Sequence, residues 1–143
     1  MKTCLLDVNV LLALAWPHHS HHNAVHDWWQ QAGLAQWATC LQTQLGFIRV
    51  SCNPRFAPIP ASPEQATKLF RQMTSRPDHR FLEEIPGAPA DAELNLALSR
   101  IATHGQVTGT YLAVLAKRHG AQLATLDHSL AAKHPDVCLA VSR

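Results

Sequence analysis

Apolar residues recur along the chain with spacings that predict short strands alternating with helices. The apolar run at residues 3–6 predicts a buried strand that ends at Asp7. Residues 9–15 have the pattern of a short helix, and Trp16-Pro17 ends it because the residue before a proline avoids helical backbone angles. The same signals predict helices over about 20–32, 41–52, 62–74, 91–103, 108–119 and 129–133, and strands over about 37–39, 81–83, 121–126 and 137–141.

Glycine, proline and capping residues mark the boundaries of several of these elements. Gly33 and Gly120 follow predicted helices, and glycine is common just after a helix end. Ser62 precedes Pro63, and Gln65 completes the spacing of a capping box, so a helix is predicted to begin there. The proline-rich segments NPRFAPIPASPE and EIPGAPA are predicted to be loops.

Strands that alternate with helices through short connections predict an α/β fold. The expected architecture is a three-layer α/β/α domain, with a central, mainly parallel sheet and helices on both of its faces. No internal repeat or long linker divides the chain, so residues 1–143 are predicted to form a single domain. Ligands of such sheets bind outside the carboxyl ends of the strands, and Asp7 and Asp127 each directly follow a predicted strand. These two carboxylates are therefore expected at one polar crevice.

A pair of carboxylates at one crevice is typical of a site for a hard divalent cation. Mg²⁺ commonly uses one or two carboxylates, keeps several waters and takes further oxygens from substrate phosphates. Such a metal activates water and stabilises charge on phosphate, which favours phosphodiester hydrolysis as the reaction class. The alternative is that Asp7 and Asp127 only cap the short helices that follow them. The spacing of the two residues leaves both interpretations open.

Composition narrows the class of protein without identifying it. The chain has 143 residues, of which 47% are hydrophobic, as expected of one soluble domain with a core of its own. Its net charge of +2 is compatible with a nucleic-acid partner but does not require one. Asp7 and Asn9 interrupt the first apolar run, which predicts neither a signal peptide nor a membrane span. The four cysteines form no C-x-x-C pair, and a reducing, cytoplasmic location is expected.

Three stretches of the sequence carry a resemblance to a known family. LLDVNVLLALAWPHHSHH, WATCLQTQLGFIRV and VTGTYLAVLAKRHGAQLATLDHSL follow one another in an order that resembles PIN domains and, more narrowly, VapC-type toxins of bacterial toxin–antitoxin systems. The resemblance covers nearly the whole chain. It implies an endoribonuclease that depends on Mg²⁺ or Mn²⁺ and acts on RNA, commonly tRNA or rRNA. It also implies a VapB-type antitoxin as partner, a homodimer and no membrane association.

The acidic positions of the family transfer to this chain only in part. By this resemblance Asp7 is the first acid, Asn9 is a polar residue that supports it, and Asp127 is the last acid. Gln44 stands where the family usually has glutamate, a variant that resembles one branch of these toxins. A glutamine side chain forms hydrogen bonds but is neither a charged ligand nor a base.

The largest departure from the family lies at Gly109. The family's third acid normally follows the threonine of a T-D-x-Y-L segment, but here Gly109 follows Thr108 in TGTYL. Asp7 and Asp127 are therefore the only charged ligands expected at the site. Weak metal binding and low or no nuclease activity are expected of this chain, which keeps open a second function: an inactive PIN pseudo-enzyme that binds an antitoxin or RNA.

Other residues have less specific interpretations. Arg49 is a candidate contact for RNA phosphate or for an acid of the crevice, and a surface ion pair is its alternative. Asp91 is predicted to cap a helix, although it or Glu93 would partly replace the missing acid if either approached Asp7. A histidine-rich segment allows either a zinc site or a solvated or antitoxin-facing helix start; its histidines are His18, His19, His21, His22 and His26.

A third interpretation of the stretch that begins at Asp7 is a different class of enzyme. Haloacid-dehalogenase-like phosphatases also place an aspartate after the first strand, within a D-x-D-x-T motif. Here Asn9 and Leu11 stand where that motif requires its second aspartate and its threonine. The sequence therefore disfavours this class.

Overall fold

Five strands form one parallel sheet in the computed structural model, which describes residues 2–142. The order across the sheet is β3-β2-β1-β4-β5, and each neighbouring pair is parallel. The predicted α/β class with a parallel sheet is therefore confirmed. The strands are β1 Thr3–Leu6, β2 Gln36–Cys40, β3 His79–Leu82, β4 Gln122–Thr125 and β5 Cys138–Ala140.

Helices cover both faces of this sheet. The α helices are α1 Val8–Ala15, α2 His22–Ala32, α3 Leu41–Ser51, α4 Pro63–Thr74, α5 Ala92–Leu98, α6 Val107–Arg118 and α7 His128–Lys133, with short 3₁₀ turns at Ala88–Ala90 and His104–Gln106. Within residues 2–142, none of the helices combines the length and the apolar character needed to cross a bilayer.

Alternating side chains of the strands divide the core into two layers. On β1, Leu5 is buried with residues of α5, α6 and α7, whereas Cys4 and Leu6 are buried with residues of α1, α2, α3 and α4. This follows from the two-residue repeat of a strand, which sends neighbouring side chains to opposite faces. Each face of β1 is apolar because each is covered by helices. The carboxylate of Asp7 comes immediately after this doubly covered strand.

The capping residues read from the sequence end or begin helices as predicted. Ser62 and Gln65 form a reciprocal capping box at the start of α4, with the Gln65 backbone amide 3.1 Å from Ser62 Oγ. Asp91 accepts a hydrogen bond from the Leu94 amide at 3.0 Å and begins α5. Gly33 follows α2 in the left-handed conformation, with φ of 59°, which glycine adopts without a steric penalty.

The sequence-based prediction placed the end of α5 and the start of β3 wrongly. α5 ends at Leu98 rather than near Thr103, because Thr103 and Gln106 form a second capping box that starts the 3₁₀ turn leading into α6. β3 begins at His79 rather than Phe81, where the prediction began it. Its two central side chains are exposed at the sheet edge, so the strand lacks the apolar alternation by which strands are predicted.

Candidate functional site

Asp7 and Asp127 line the same cavity, which has a volume of about 190 Å³. Asp7 follows β1 and Asp127 follows β4 after Leu126, and these strands are parallel neighbours in the sheet. Thr108 and Gly109 of α6 and Lys133 of α7 also line the cavity. The topology therefore brings residues from both ends of the chain to one point, as expected for the carboxyl edge of a parallel sheet.

The carboxylate of Asp7 is held in place by two hydrogen bonds. Its Oδ1 accepts from the Val8 amide at 2.7 Å, so Asp7 is the N-cap of α1. Its Oδ2 accepts from Thr125 Oγ1 at 2.8 Å. Burial raises the pKa of this carboxyl and the negative charge of Asp127 raises it further, while the two hydrogen bonds oppose the shift. Asp7 thus caps a helix and also presents a half-buried charge to the cavity.

The carboxylate of Asp127 is bound by the backbone on one side only. Its Oδ1 accepts from the Leu130 amide at 3.0 Å, which makes Asp127 the N-cap of α7. Within residues 2–142, its second oxygen accepts no hydrogen bond, and neither Asp7 nor Asp127 forms an ion pair. Helix capping therefore leaves acceptor capacity on this carboxylate facing the cavity.

Thr125 connects the two acids and was missed in the sequence. Its side chain is fully buried at the end of β4. Besides donating to Asp7, Thr125 Oγ1 accepts from the Asp127 backbone amide at 3.0 Å. The signal for it was local, since a polar residue in an apolar strand just before an acid needs a polar partner.

Asn9 supports this arrangement from α1. Its Oδ1 accepts from the Leu126 amide at 3.1 Å, and its Nδ2 lies 3.4 Å from Thr125 Oγ1. The residue does not line the cavity. Its contacts fasten the start of α1 to the end of β4, and so fix Asp7 relative to Asp127.

Gly109 lies in the first turn of α6 with its α-carbon toward α7. A Cβ built on Gly109 would lie 2.8 Å from Leu130 Cδ2, closer than carbon atoms normally approach. The space that a side chain would enter is thus occupied by a buried leucine. An aspartate at 109 would require the Leu130 side chain to shift before its carboxylate reached the cavity.

Gln44 is not part of the lining of this cavity. Its Nε2 donates to Thr39 Oγ1 at 3.2 Å, and that oxygen lies 2.8 Å from His79 Nε2. Burial lowers the pKa of the His79 imidazole, and the nearby charge of Asp78 opposes this shift. Gln44 therefore belongs to a network of hydrogen bonds at β2 and β3, and its catalytic role stays a prediction.

A further carboxylate follows β3 and has both oxygens occupied. Glu84 Oε1 accepts from the Gln42 amide at 3.0 Å, and Glu84 Oε2 accepts from the hydroxyl of Tyr111. The same hydroxyl accepts from the Ile85 amide at 3.1 Å. Burial and the hydrogen bond to Glu84 raise the pKa of Tyr111. Sequence reasoning assigned no role to Glu84, although the rule that selected Asp7 and Asp127, an acid after a strand, applies to it.

The remaining candidates lie apart from the carboxylate cavity. Asp91 forms a two-pronged ion pair with Arg118, with distances of 2.7 and 3.0 Å, and Glu93 lies 3.7 Å from the same guanidinium. Neither acid lines the cavity. Arg49 is exposed and forms no ion pair with any residue from 2 to 142. Its predicted contact with RNA is not tested by these distances.

The histidine-rich segment packs against the end of α1. His22 Nδ1 lies 2.7 Å from the Ala13 carbonyl oxygen, and His26 Nε2 lies 2.9 Å from that of Leu14. These rings serve carbonyl groups that a helix end leaves without partners. In the part of the chain that the structure describes, no group of three or more His, Cys, Asp or Glu side chains is placed to hold a metal ion.

Comparison with known proteins gives relatives along almost the entire chain. No family model matches the sequence. Ribonuclease VapC39 of Mycobacterium tuberculosis is 37% identical over 133 residues, which cover 90% of this chain and 91% of the relative. Ribonuclease VapC29 of the same organism is 39% identical over 139 residues, which cover 97% of this chain and 96% of the relative.

A solved structure supports the same fold. The crystal structure of M. tuberculosis VapC20, a toxin that cleaves the sarcin–ricin loop, matches with a TM-score of 0.65 and covers 91% of this chain and 94% of that one. At 13% identity this likeness concerns the fold alone. The fold and the sequence relatives agree with the resemblance in the three motifs, and the chain belongs to the VapC family of PIN-domain ribonucleases.

Proposed function

We propose that this protein is a toxin-type endoribonuclease that hydrolyses RNA phosphodiester bonds with Mg²⁺ or Mn²⁺, and that Gly109 weakens it. The observation that carries the proposal is the cavity shared by Asp7 and Asp127. Two carboxylates face it without an ion-pair partner among residues 2–142. Family membership supports the RNA substrate, since the relatives are named ribonucleases.

The donors at this cavity fit a hard divalent cation. Asp7 and Asp127 would hold it, because both supply carboxylate oxygen, the ligand that Mg²⁺ prefers. Burial raises the pKa of Asp7, and the charge of Asp127 raises it further, so a bound cation would favour the ionised form of this carboxyl. Water and RNA phosphate would complete the coordination, as they commonly do around Mg²⁺, while Gly109 stands where the family resemblance implies a third acid. The expected affinity is correspondingly low.

The chain's own residues contribute orientation to the reaction. When bound, the metal supplies an activated water and positive charge against the phosphate. Thr125 and the Val8 amide fix both oxygens of Asp7, and the Leu130 amide fixes one oxygen of Asp127. Carboxylates held by such contacts need little rearrangement when substrate arrives. Gly109 contributes no ligand, and this accounts for the weakening we propose.

Partners and location follow from the family rather than from the cavity. The proposed substrate is tRNA or rRNA, and the proposed regulator is a VapB-type antitoxin. We also propose a homodimer that works in the cytoplasm. The exposed apolar side chains of Leu41 and Leu45 on α3 offer surface for such contacts.

The second candidate is a pseudo-enzyme that keeps the fold and binds RNA or antitoxin without cutting. Three observations favour it. Gly109 replaces an acid, and within residues 2–142 no group of three acidic or other metal-binding side chains is placed to hold a metal. Gln44 is neutral and is engaged with Thr39.

A cleavage assay on three proteins tests the proposal. This chain, Gly109→Asp and Gly109→Ala would be incubated with total tRNA and Mn²⁺, with EDTA in the control. Gly109→Ala places the same Cβ against Leu130 but adds no carboxylate, so it separates crowding from chemistry. We expect EDTA-sensitive cleavage to rise on the order of a hundred-fold in Gly109→Asp alone, the size usual for one electrostatic contact that stabilises a transition state.

Each other result has a defined meaning. Equal cleavage by this chain and Gly109→Asp would show that two carboxylates suffice and that Gly109 does not weaken the enzyme. Absence of cleavage by every variant, together with normal RNA binding, would favour the pseudo-enzyme. Cleavage that persists in EDTA would contradict the metal-dependent mechanism.

A further inference from the structure

A second, larger cleft adjoins the carboxylate cavity. It has a volume of about 510 Å³ and lies between α5, α6 and the end of α7, where its lining includes Arg100, Lys117, Lys133 and His134. Lys133 lines both this cleft and the cavity of Asp7 and Asp127. The α5–α6–α7 cleft therefore meets the cavity of the proposed cleavage site at Lys133.

Positive charge is in excess among the side chains that line this cleft. Its two acids are each near a cation: Asp136 lies 3.6 Å from Lys117, and Glu93 lies 3.7 Å from Arg118. Arg100 and Lys133 form no ion pair with any residue from 2 to 142. Both are exposed. Two cations without an ion pair in residues 2–142, along a cleft that borders the carboxylate cavity, favour a polyanion as its occupant.

We infer that the α5–α6–α7 cleft binds the backbone of the RNA strand on one side of the cleaved bond. Lys133 contacts the phosphate next to the carboxylate cavity, and Arg100 contacts a phosphate farther along the strand. This inference rests on the proposed function and deepens it, since it names the residues that place the substrate. The apolar part of the lining, which includes Leu96 and Ile101, lies against sugars and bases.

RNA binding without cleavage tests the inference directly. The protein, the double variant Arg100→Gln/Lys133→Gln and the matched control Lys68→Gln/Arg80→Gln would be titrated with a fluorescent single-stranded oligoribonucleotide and with tRNA in EDTA. The control also removes one lysine and one arginine. Lys68 lies on α4 and Arg80 on the edge strand β3, both exposed and outside the cleft. Thermal melting would verify that all three proteins fold.

The expected result is a selective loss in the cleft variant. Its Kd for the oligoribonucleotide should rise on the order of ten-fold near 0.1 M salt, and the slope of log K against log salt should fall by about 1.4, or about 0.7 per lost phosphate contact. The control should change less than about three-fold. Equal loss in both variants would overturn the inference, since overall charge would then explain binding.

The other outcomes separate this inference from the proposed function. If the cleft variant binds RNA like the unmodified chain, the cleft is not the RNA path, although the ribonuclease proposal stands. If the cleft variant keeps RNA binding but loses an acidic peptide that the unmodified chain binds, the cleft belongs to a protein partner and the inference is wrong. If the unmodified chain binds no RNA in EDTA, this inference fails, while the cleavage assay with Mn²⁺ still decides the proposed function.

Discussion

The acids at the two halves of the sheet's carboxyl edge differ in their surroundings. Beside β1 and β4, Asp7 and Asp127 face a cavity and have no ion-pair partner among residues 2–142. Beside β2 and β3, one oxygen of Glu84 accepts a hydrogen bond from the Gln42 amide, and the other accepts one from the hydroxyl of Tyr111. Within residues 2–142, one oxygen of Asp127 accepts no hydrogen bond, so the first pair has acceptor capacity left for a ligand. The second site is satisfied by the protein itself.

This difference teaches where the chemistry of the molecule lies. A carboxylate held entirely by protein hydrogen bonds stabilises the structure around it, whereas carboxylates that face a shared cavity are candidate ligands for a cation. Gln44 belongs to the satisfied half, because its amide ends in the contact with Thr39 and the His79 imidazole. We therefore propose that the metal chemistry lies at β1 and β4 alone.

The strongest test of that assignment compares the two halves in the active background. In Gly109→Asp, the further change Asp127→Asn should lower the initial rate of RNA cleavage on the order of a hundred-fold, because it removes a charged ligand. Gln44→Ala in the same background should lower the rate less than about five-fold. Initial rates with tRNA and Mn²⁺ would measure both.

Asn at position 127 still accepts the hydrogen bond that begins α7, so a fold defect is not expected to confuse the result. A loss in Gln44→Ala as large as that in Asp127→Asn would break the comparison. It would place the glutamine at the reacting phosphate rather than in the network at β2.

The second test measures stability, for which the half at β2 and β3 should matter more than the half at β1 and β4. Tyr111→Phe should lower the free energy of unfolding by about 1–3 kcal/mol, because it leaves the Ile85 amide and an oxygen of Glu84 without their partner. Asp127→Asn should change it by less than about 0.5 kcal/mol, since asparagine caps helices about as well as aspartate. Urea unfolding of the three proteins would give these values.

Equal stability of the Tyr111→Phe variant and the unmodified chain would contradict the view that the half at β2 and β3 serves the structure. A large loss in Asp127→Asn would contradict it from the other side. It would mean that Asp127 is held as tightly by the protein as Glu84 is.

Sequence patterns could predict the position of the carboxylate cavity at β1 and β4 because its signals are local. Asp7 follows an apolar run and Asp127 follows another, and parallel topology brings strand ends together without knowledge of any side-chain contact. The sequence relatives then fixed the family. The absence of an acid at 109 was equally visible, since it interrupts a short motif.

The hydrogen bonds at β2 and β3 could not be predicted because they join residues that are distant in sequence. Glu84 meets Tyr111 across 27 positions, and Thr39 meets His79 across 40. β3, which delivers Glu84, lies at the sheet edge and lacks an apolar alternation, so even its start was predicted wrongly. The packing of Leu130 against Gly109 likewise depends on the approach of α7 to α6. Such contacts are decided by packing rather than by propensity.

The smallest expected effect is the pH dependence of stability, which tests the comparison at the charge of Asp7 alone. Burial and the charge of Asp127 raise the pKa of Asp7 in the folded protein. An acid with a raised folded pKa supports the fold fully only below its unfolded pKa, and the support is lost as pH rises through the folded pKa. Asp7→Asn cannot ionise, so it should raise Tm by a few degrees at pH 7, and the gain should vanish below about pH 3.9.

Asp91→Asn provides the matched control, because its charge has the opposite environment. The hydrogen bonds from Arg118, followed by that from the Leu94 amide, lower the pKa of Asp91. The contribution of Asp91 is therefore present above its unfolded pKa and lost as pH falls through its folded pKa, so Asp91→Asn should lower Tm at pH 7. Melting curves would be measured from pH 3 to 8. The Tm differences of the two variants from the unmodified chain should have opposite signs at pH 7 and should shrink towards acid pH. If Asp7→Asn instead melts below the unmodified chain at pH 7, the charge of Asp7 is already compensated within the free protein, and the cavity has no electrostatic need for a cation.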